Sequence, residues 1–186
     1  MLGDIKMLYF HKELKNKMNS DYQIQKAVLE KKYYKVEMGL YSDKEFVNPL
    51  EIIVKKYPNA VFTSDSAFYY FDLTDVIPDY FFLATKRTDT RINDNNIKQV
   101  FVPNELFDFG KTQIEIENVK INIYDRERML VELIRKKNII PFDYYKEIIS
   151  NYRKIVNDLD VYKIQEYISY YKNEHTLYDT LMREVF

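Results

Sequence analysis

Residues 20–43, SDYQIQKAVLEKKYYKVEMGLYSD, decide how the N-terminal part of the chain folds. Ser20 is a helix N-cap residue type, because its hydroxyl can accept from a first-turn N–H that has no partner within the helix. The helix behind it places Ile24, Ala27, Val28 and Lys31 on one face, and Tyr22, Gln23, Gln25 and Lys26 on opposite or flanking faces. Tyr33–Val36 and Leu40–Tyr41 then read as two short strands. Glu37, Met38 and Gly39 form the turn between them, with Gly39 able to supply a positive φ.

Working upstream, Ile5, Leu8 and Tyr9 make an i, i+3, i+4 stripe that predicts a short helix over residues 3–9. A second short helix fits His11–Lys17 with Leu14 pointing inward, and Met18–Asn19 is a tight turn. Three short helices followed by a hairpin make a winged helix-turn-helix, expected over residues 1–44. In that architecture the third helix enters the major groove and the hairpin lies along the backbone. Ser20, Tyr22, Gln23, Gln25 and Lys26 are the candidate residues at the groove. Lys31, Lys32 and Lys35 are the candidate phosphate contacts, where counterion release drives binding.

The charge distribution agrees in direction. The net charge over 186 residues is −1, but residues 1–36 hold eight lysines against four acids, leaving −5 for the remainder. The chain has no cysteine, which excludes disulfides, thiol catalysis and a Cys-based zinc site. The opening MLGDIKMLYFHKELK lacks the apolar run of a signal peptide, and no stretch approaches the roughly 18 apolar residues of a membrane span. The expected location is the cytoplasm.

Residues 45–186 read as a mixed α/β module ending in a helical bundle, so the fold class is α+β. Asn48–Pro49 caps a helix through Lys56, and Ser64 or Asp65 caps another over SAFYYFDL. Tyr80–Lys86 and Ile97–Val102 read as strands. Gln113–Glu117 and Val119–Tyr124 alternate about Asn118 as a hairpin. Helices follow near 125–137, 142–156, 161–172 and 175–184, with a crowd of tyrosines among the last of them.

Three stretches carry a family resemblance. HKELKNKMNSDYQIQKAVLEKKYYKVEMGLY, AVFTSDSAFYYFDLTD and VKINIYDRERMLVELIRKK resemble, in order and spacing, the AbiEi-type antitoxins of bacterial abortive-infection systems. The resemblance implies an N-terminal winged helix that represses its own operon at operator DNA, with a homodimer as one form on DNA. It also implies an antitoxin role against a nucleotidyltransferase-like toxin, in a type IV arrangement that needs no stable complex. Ser64, Asp65, Ser66, Arg126 and Arg128 are the candidate antitoxin surface. This chain departs from the family pattern at Met18–Asn19, where a Gly is usual, and at Asp21, where Arg is frequent. There is no Arg before Arg87, so base reading falls to Gln23, Gln25 and Lys26.

No catalytic residue, cofactor or metal site is expected. His11 and His175 are far apart, and Gly-rich phosphate loops and nucleophile elbows are absent from the sequence. Two alternatives compete. One is a protein-interaction module with an incidental basic patch. The other is a metal-dependent nuclease built from Asp65, Glu115 and Glu117 with Lys120.

Overall fold

Asn19 turns the chain between two helices by adopting a left-handed backbone, φ 65, and its N–H donates to Lys15 O at 2.7 Å. Asn tolerates this region better than other non-glycine residues, which explains how the turn forms without Gly. The computed structural model describes residues 8–186. They fall into two units, with the break between Pro58 and Asn59.

In the first unit, β1 (Leu8–Phe10) leads directly into α1 (His11–Met18), and α2 (Asp21–Leu29) follows the Asn19 turn. The hairpin of β2 (Tyr34–Glu37) and β3 (Leu40–Ser42) turns at Gly39, φ 78. β3 is the central strand of an antiparallel sheet of order β1-β3-β2. Leu14, Ile24, Ala27 and Leu40 are buried, as the helical and strand periods of the sequence require.

The helix expected over residues 3–9 needs correction. Residues 3–7 lie outside the described residues, and Leu8–Phe10 is a strand paired Leu8↔Ser42, Tyr9↔Tyr41 and Phe10↔Leu40. A tertiary hydrogen-bonding partner outweighs a three-residue helical stripe.

α3 (Pro49–Lys56) has Pro at its first turn, and the Asn48 side chain accepts from Leu50 N at 2.9 Å. It buries Leu50 and Ile53. Its charges tie it to the first unit through Lys55–Glu13 at 2.8 Å, Lys56–Glu37 at 2.9 Å and Lys44–Glu51 at 3.2 Å. The break expected between residues 44 and 45 therefore falls after Pro58.

The second unit is built on a mixed sheet of order β6-β5-β4-β8-β7. Its strands are β4 (Val61–Phe62), β5 (Phe81–Lys86), β6 (Ile97–Val102), β7 (Lys111–Ile116) and β8 (Val119–Tyr124). β4 is two residues long, yet it is the middle strand, antiparallel to β5 and parallel to β8. α4 (Ser64–Tyr70) follows it, and Ser66 Oγ accepts from Phe82 N at 2.9 Å, pinning the helix to β5.

α5 (Arg126–Arg135) starts at Asp125, whose carboxylate accepts from Arg128 N at 2.8 Å. It buries Met129, Leu130, Val131, Leu133 and Ile134. α6 (Phe142–Lys154), α7 (Val161–Ser169) and α8 (Glu174–Glu184) complete the helical part, and α5, α7 and α8 pack together. The architecture is α+β. Several tyrosines act as inter-element ties. Tyr145 OH donates to Glu184, Tyr152 OH to Arg126 O, Tyr167 OH to Asp125 and Tyr171 OH to Glu132, all within 2.9 Å. Buried phenols need such partners, so this is a structural use of the tyrosine crowd.

Candidate nucleic-acid interface

The first unit presents α2 as a helix with two faces. Ser20 Oγ accepts from Gln23 N at 3.2 Å and fixes where the helix begins. Ile24 and Ala27 point into the core. Tyr22, Gln23, Gln25 and Lys26 are exposed. This arrangement follows from the 3.6-residue period and leaves a polar row on the outside.

Asp21 puts a carboxylate in the first turn of α2. Its Oδ2 lies 2.6 Å from Lys15 Nζ, and its Oδ1 lies 3.0 Å from His11 Nε2. The hydrogen bond from Lys15 holds its carboxyl below the ordinary range. Asp21 therefore does two jobs in the fold: it favours the helix N-terminus and it ties α2 to α1.

Lys26 and Lys32 share Glu30, at 3.8 and 2.7 Å. The Lys32 hydrogen bond holds the Glu30 carboxyl below its usual value. Both lysines stay mostly exposed, so the pairs are weak and open to exchange for a phosphate. Lys31 has left the helix and takes φ 56, with its N–H bonded to Val28 O at 3.1 Å. Its expected place on the Ile24 face of the helix is thereby corrected, because the chain turns to enter β2. Lys35 is exposed on β2, beside the irregular register between Lys35 and Glu37.

Sequence reasoning missed two features here. Lys17 sits 4.8 Å from the Tyr9 ring centre and 5.6 Å from that of Tyr33, and hydrogen bonds to Tyr33 and Tyr9 raise its pKa. It is a packing lysine as much as a surface charge. Leu29, 84% exposed, shares the outer side of α2 with Tyr22, 75% exposed. The apolar pattern signalled Leu29 as hydrophobic, but only the fold shows that it is left outside.

The second-unit candidates separate by burial. Ser66 is fully buried and Arg128 is 3% exposed, so neither contributes to a docking surface. Ser64 (φ 48), Asp65 and Arg126 are half-buried. Burial pushes the Asp65 carboxyl above its ordinary range, against the pull of the Tyr144 hydroxyl and Lys136. Arg128 donates to the Leu106 and Phe109 carbonyls at 3.1 and 3.2 Å, which makes it the clamp on the loop before β7.

The acids of the nuclease alternative lie on α4 and around the β7–β8 turn, where Glu115 faces Lys120 across the ladder. Among the described residues, no three acids or histidines come together in a way that could hold a metal ion. No described helix is long and apolar enough to cross a membrane. The chain matches no protein-family model, and no curated protein is similar to it in sequence.

Proposed function

We propose that this protein is a cytoplasmic DNA-binding regulator. Its first unit is read as a winged helix-turn-helix, with α2 as the recognition helix and β2–β3 as the wing. The observation that carries the reading is the polar row of Tyr22, Gln23, Gln25 and Lys26 on a capped helix, preceded by a tight turn and followed by a lysine-bearing hairpin. The sheet order β1-β3-β2 and the α1–Asn19–α2 turn support it. The pairing of Asp21 with Lys15 and His11 removes the main electrostatic objection.

The test is binding of the purified chain to DNA upstream of its own gene against scrambled DNA, across a salt series. The reading requires preference for the upstream DNA and an affinity that falls steeply with salt. Equal, weak binding to both at low salt would overturn it.

For the second unit we propose the antitoxin role implied by the resemblance, with Ser64, Asp65 and Arg126 as its accessible candidate residues. Co-expression with a neighbouring nucleotidyltransferase-like toxin should restore growth, and loss of that rescue on removal of the second unit would assign the role to it.

One observation favours a second reading, a protein-interaction surface. Tyr22, Leu29 and Met38 are large apolar side chains left exposed in the first unit. If Leu29→Ser abolishes capture of a protein partner while DNA binding is absent at every salt concentration, the interaction reading replaces the regulator.

A further inference from the structure

The second unit contains a cavity of about 410 Å³ between β6, the loop after it, and α5. All of its lining residues lie within 59–186, outside the unit on which the DNA-binding reading rests. One wall is apolar, made by Val100, Val102 and Leu106. The other is cationic, made by Arg128, Arg135 and Lys136. We infer that this cavity binds a small organic phosphate, a phosphate monoester carried on a flat ring such as a nucleoside monophosphate.

Charge balance points to an anion. Glu132 is the one carboxylate among the described lining residues, and three cations converge on it. Its distances are 3.4 Å to Arg128, 2.7 Å to Arg135 and 4.0 Å to Lys136. Tyr171 OH adds a fourth donor at 2.8 Å. One carboxylate cannot balance three cations. Asp65, beyond the lining, also acts on Lys136, and two carboxylates against three cations still leave a positive surplus. Arg135 and Lys136 are each about a third exposed, so this surplus charge is open to solvent and can attract an anion.

The donors are also held in place. Arg128 is immobilised by two carbonyls and lies 4.9 Å over the Tyr124 ring. Arg135 is stacked 4.0 Å over the Tyr171 ring while it pairs with Glu132. Lys136 is beyond hydrogen-bonding distance of Glu132, so its ammonium can turn to a ligand. Thr63, also in the lining, directs its hydroxyl at Met129 Sδ, a weak acceptor 3.6 Å away. An oxyanion would find the Arg135 guanidinium, held on the Tyr171 ring, and the Lys136 ammonium.

Shape and polarity set the class. A bare inorganic ion would leave the apolar wall wet. A volume of about 410 Å³ falls within the range of small-molecule sites and holds a ring together with its phosphate.

Isothermal titration of the full chain tests this with four probes: adenosine 5′-monophosphate, phenyl phosphate, adenosine and inorganic phosphate. At least one of the two esters should bind, with adenosine weaker by roughly tenfold or more for the lost charged hydrogen bonds and inorganic phosphate weaker by a similar factor for the lost burial of the ring. Binding of both esters assigns an aryl-phosphate site, and binding of the nucleotide alone assigns a nucleotide site. Lys136→Met and Arg135→Gln should each weaken the ester by roughly tenfold. Both side chains are about a third exposed, so both variants should keep the circular dichroism of the fold, with a lowered melting temperature for Arg135→Gln, which removes the nearest cationic partner of Glu132. Lys26→Ala should change nothing. The inference is overturned if neither ester binds, if inorganic phosphate binds as tightly as the esters, or if both pocket variants bind like the parent.

Discussion

At the scale of single residues, backbone conformation and caps give the sharpest expectations. Asn19 holds φ 65 at the turn between α1 and α2. Asn19→Ala should cost about 1 kcal/mol, since a β-carbon without a local hydrogen-bonding group disfavours that region. Urea denaturation reads this as a lower midpoint at unchanged slope, and Asn19→Gly should recover it. Gly110 is a more demanding case. It has φ +66, and a Cβ there would lie 2.7 Å from Arg128 Cβ and 3.0 Å from Asp125 Oδ1. Gly110→Ala must therefore move the start of α5 as well as accept backbone strain. Its destabilisation should exceed that of Gly39→Ala, where φ is +78 but nothing lies within 4 Å. A smaller effect at Gly110 would mean that the loop relaxes freely around Arg128.

At the scale of elements, α2 divides cleanly into a buried and an exposed face. Ile24→Ala should cost about 2–5 kcal/mol, as buried Ile truncations do, and should be visible in thermal melts of the first unit. Lys26→Ala should leave stability nearly unchanged. On the DNA-binding reading it should instead lower the slope of log affinity against log salt by up to about 1, because one cation is removed from the proposed interface. The opposite pattern, a stability loss at Lys26 and an unchanged salt slope, would remove α2 from the DNA interface.

At the scale of the whole molecule, acid stability depends on carboxylates shifted in opposite directions. Burial opposes the Glu132 charge, but Arg135, Arg128 and Lys136 outweigh it and hold its pKa below 4.5. A depressed folded-state pKa contributes stability that is full above the unfolded value and lost as pH falls through the folded one. Glu132→Gln should therefore be less stable than the parent at pH 7, and the gap should close as pH drops below about 4.5. Asp65 has the opposite sign, since burial raises its pKa. Asp65→Asn should gain stability relative to the parent as pH rises from about 3 to 7. Denaturation of both variants across this pH range checks the two signs together.

Much of this fold is written in local pattern. Ser20 as a cap, Leu14, Ile24 and Ala27 as core, Gly39 as the hairpin turn, Asn48–Pro49 as a helix start and the hairpin about Asn118 all rest on periodicity or turn chemistry within a few residues. Such signals act over the same short range that the sequence displays, so they survive folding. The tertiary structure decided the rest. Leu8–Phe10 became a strand because Leu40–Ser42 offered it hydrogen bonds. Val61–Phe62, too short to show any period, became the middle of a sheet because β5 and β8 flank it. Ser66 and Arg128 went inside, where long-range backbone partners awaited them. The cationic cavity on α5 joins residues from 63 to 171, and no local window of sequence contains them together. Contacts between distant segments depend on how the loops close, and that is a property of the packed chain alone.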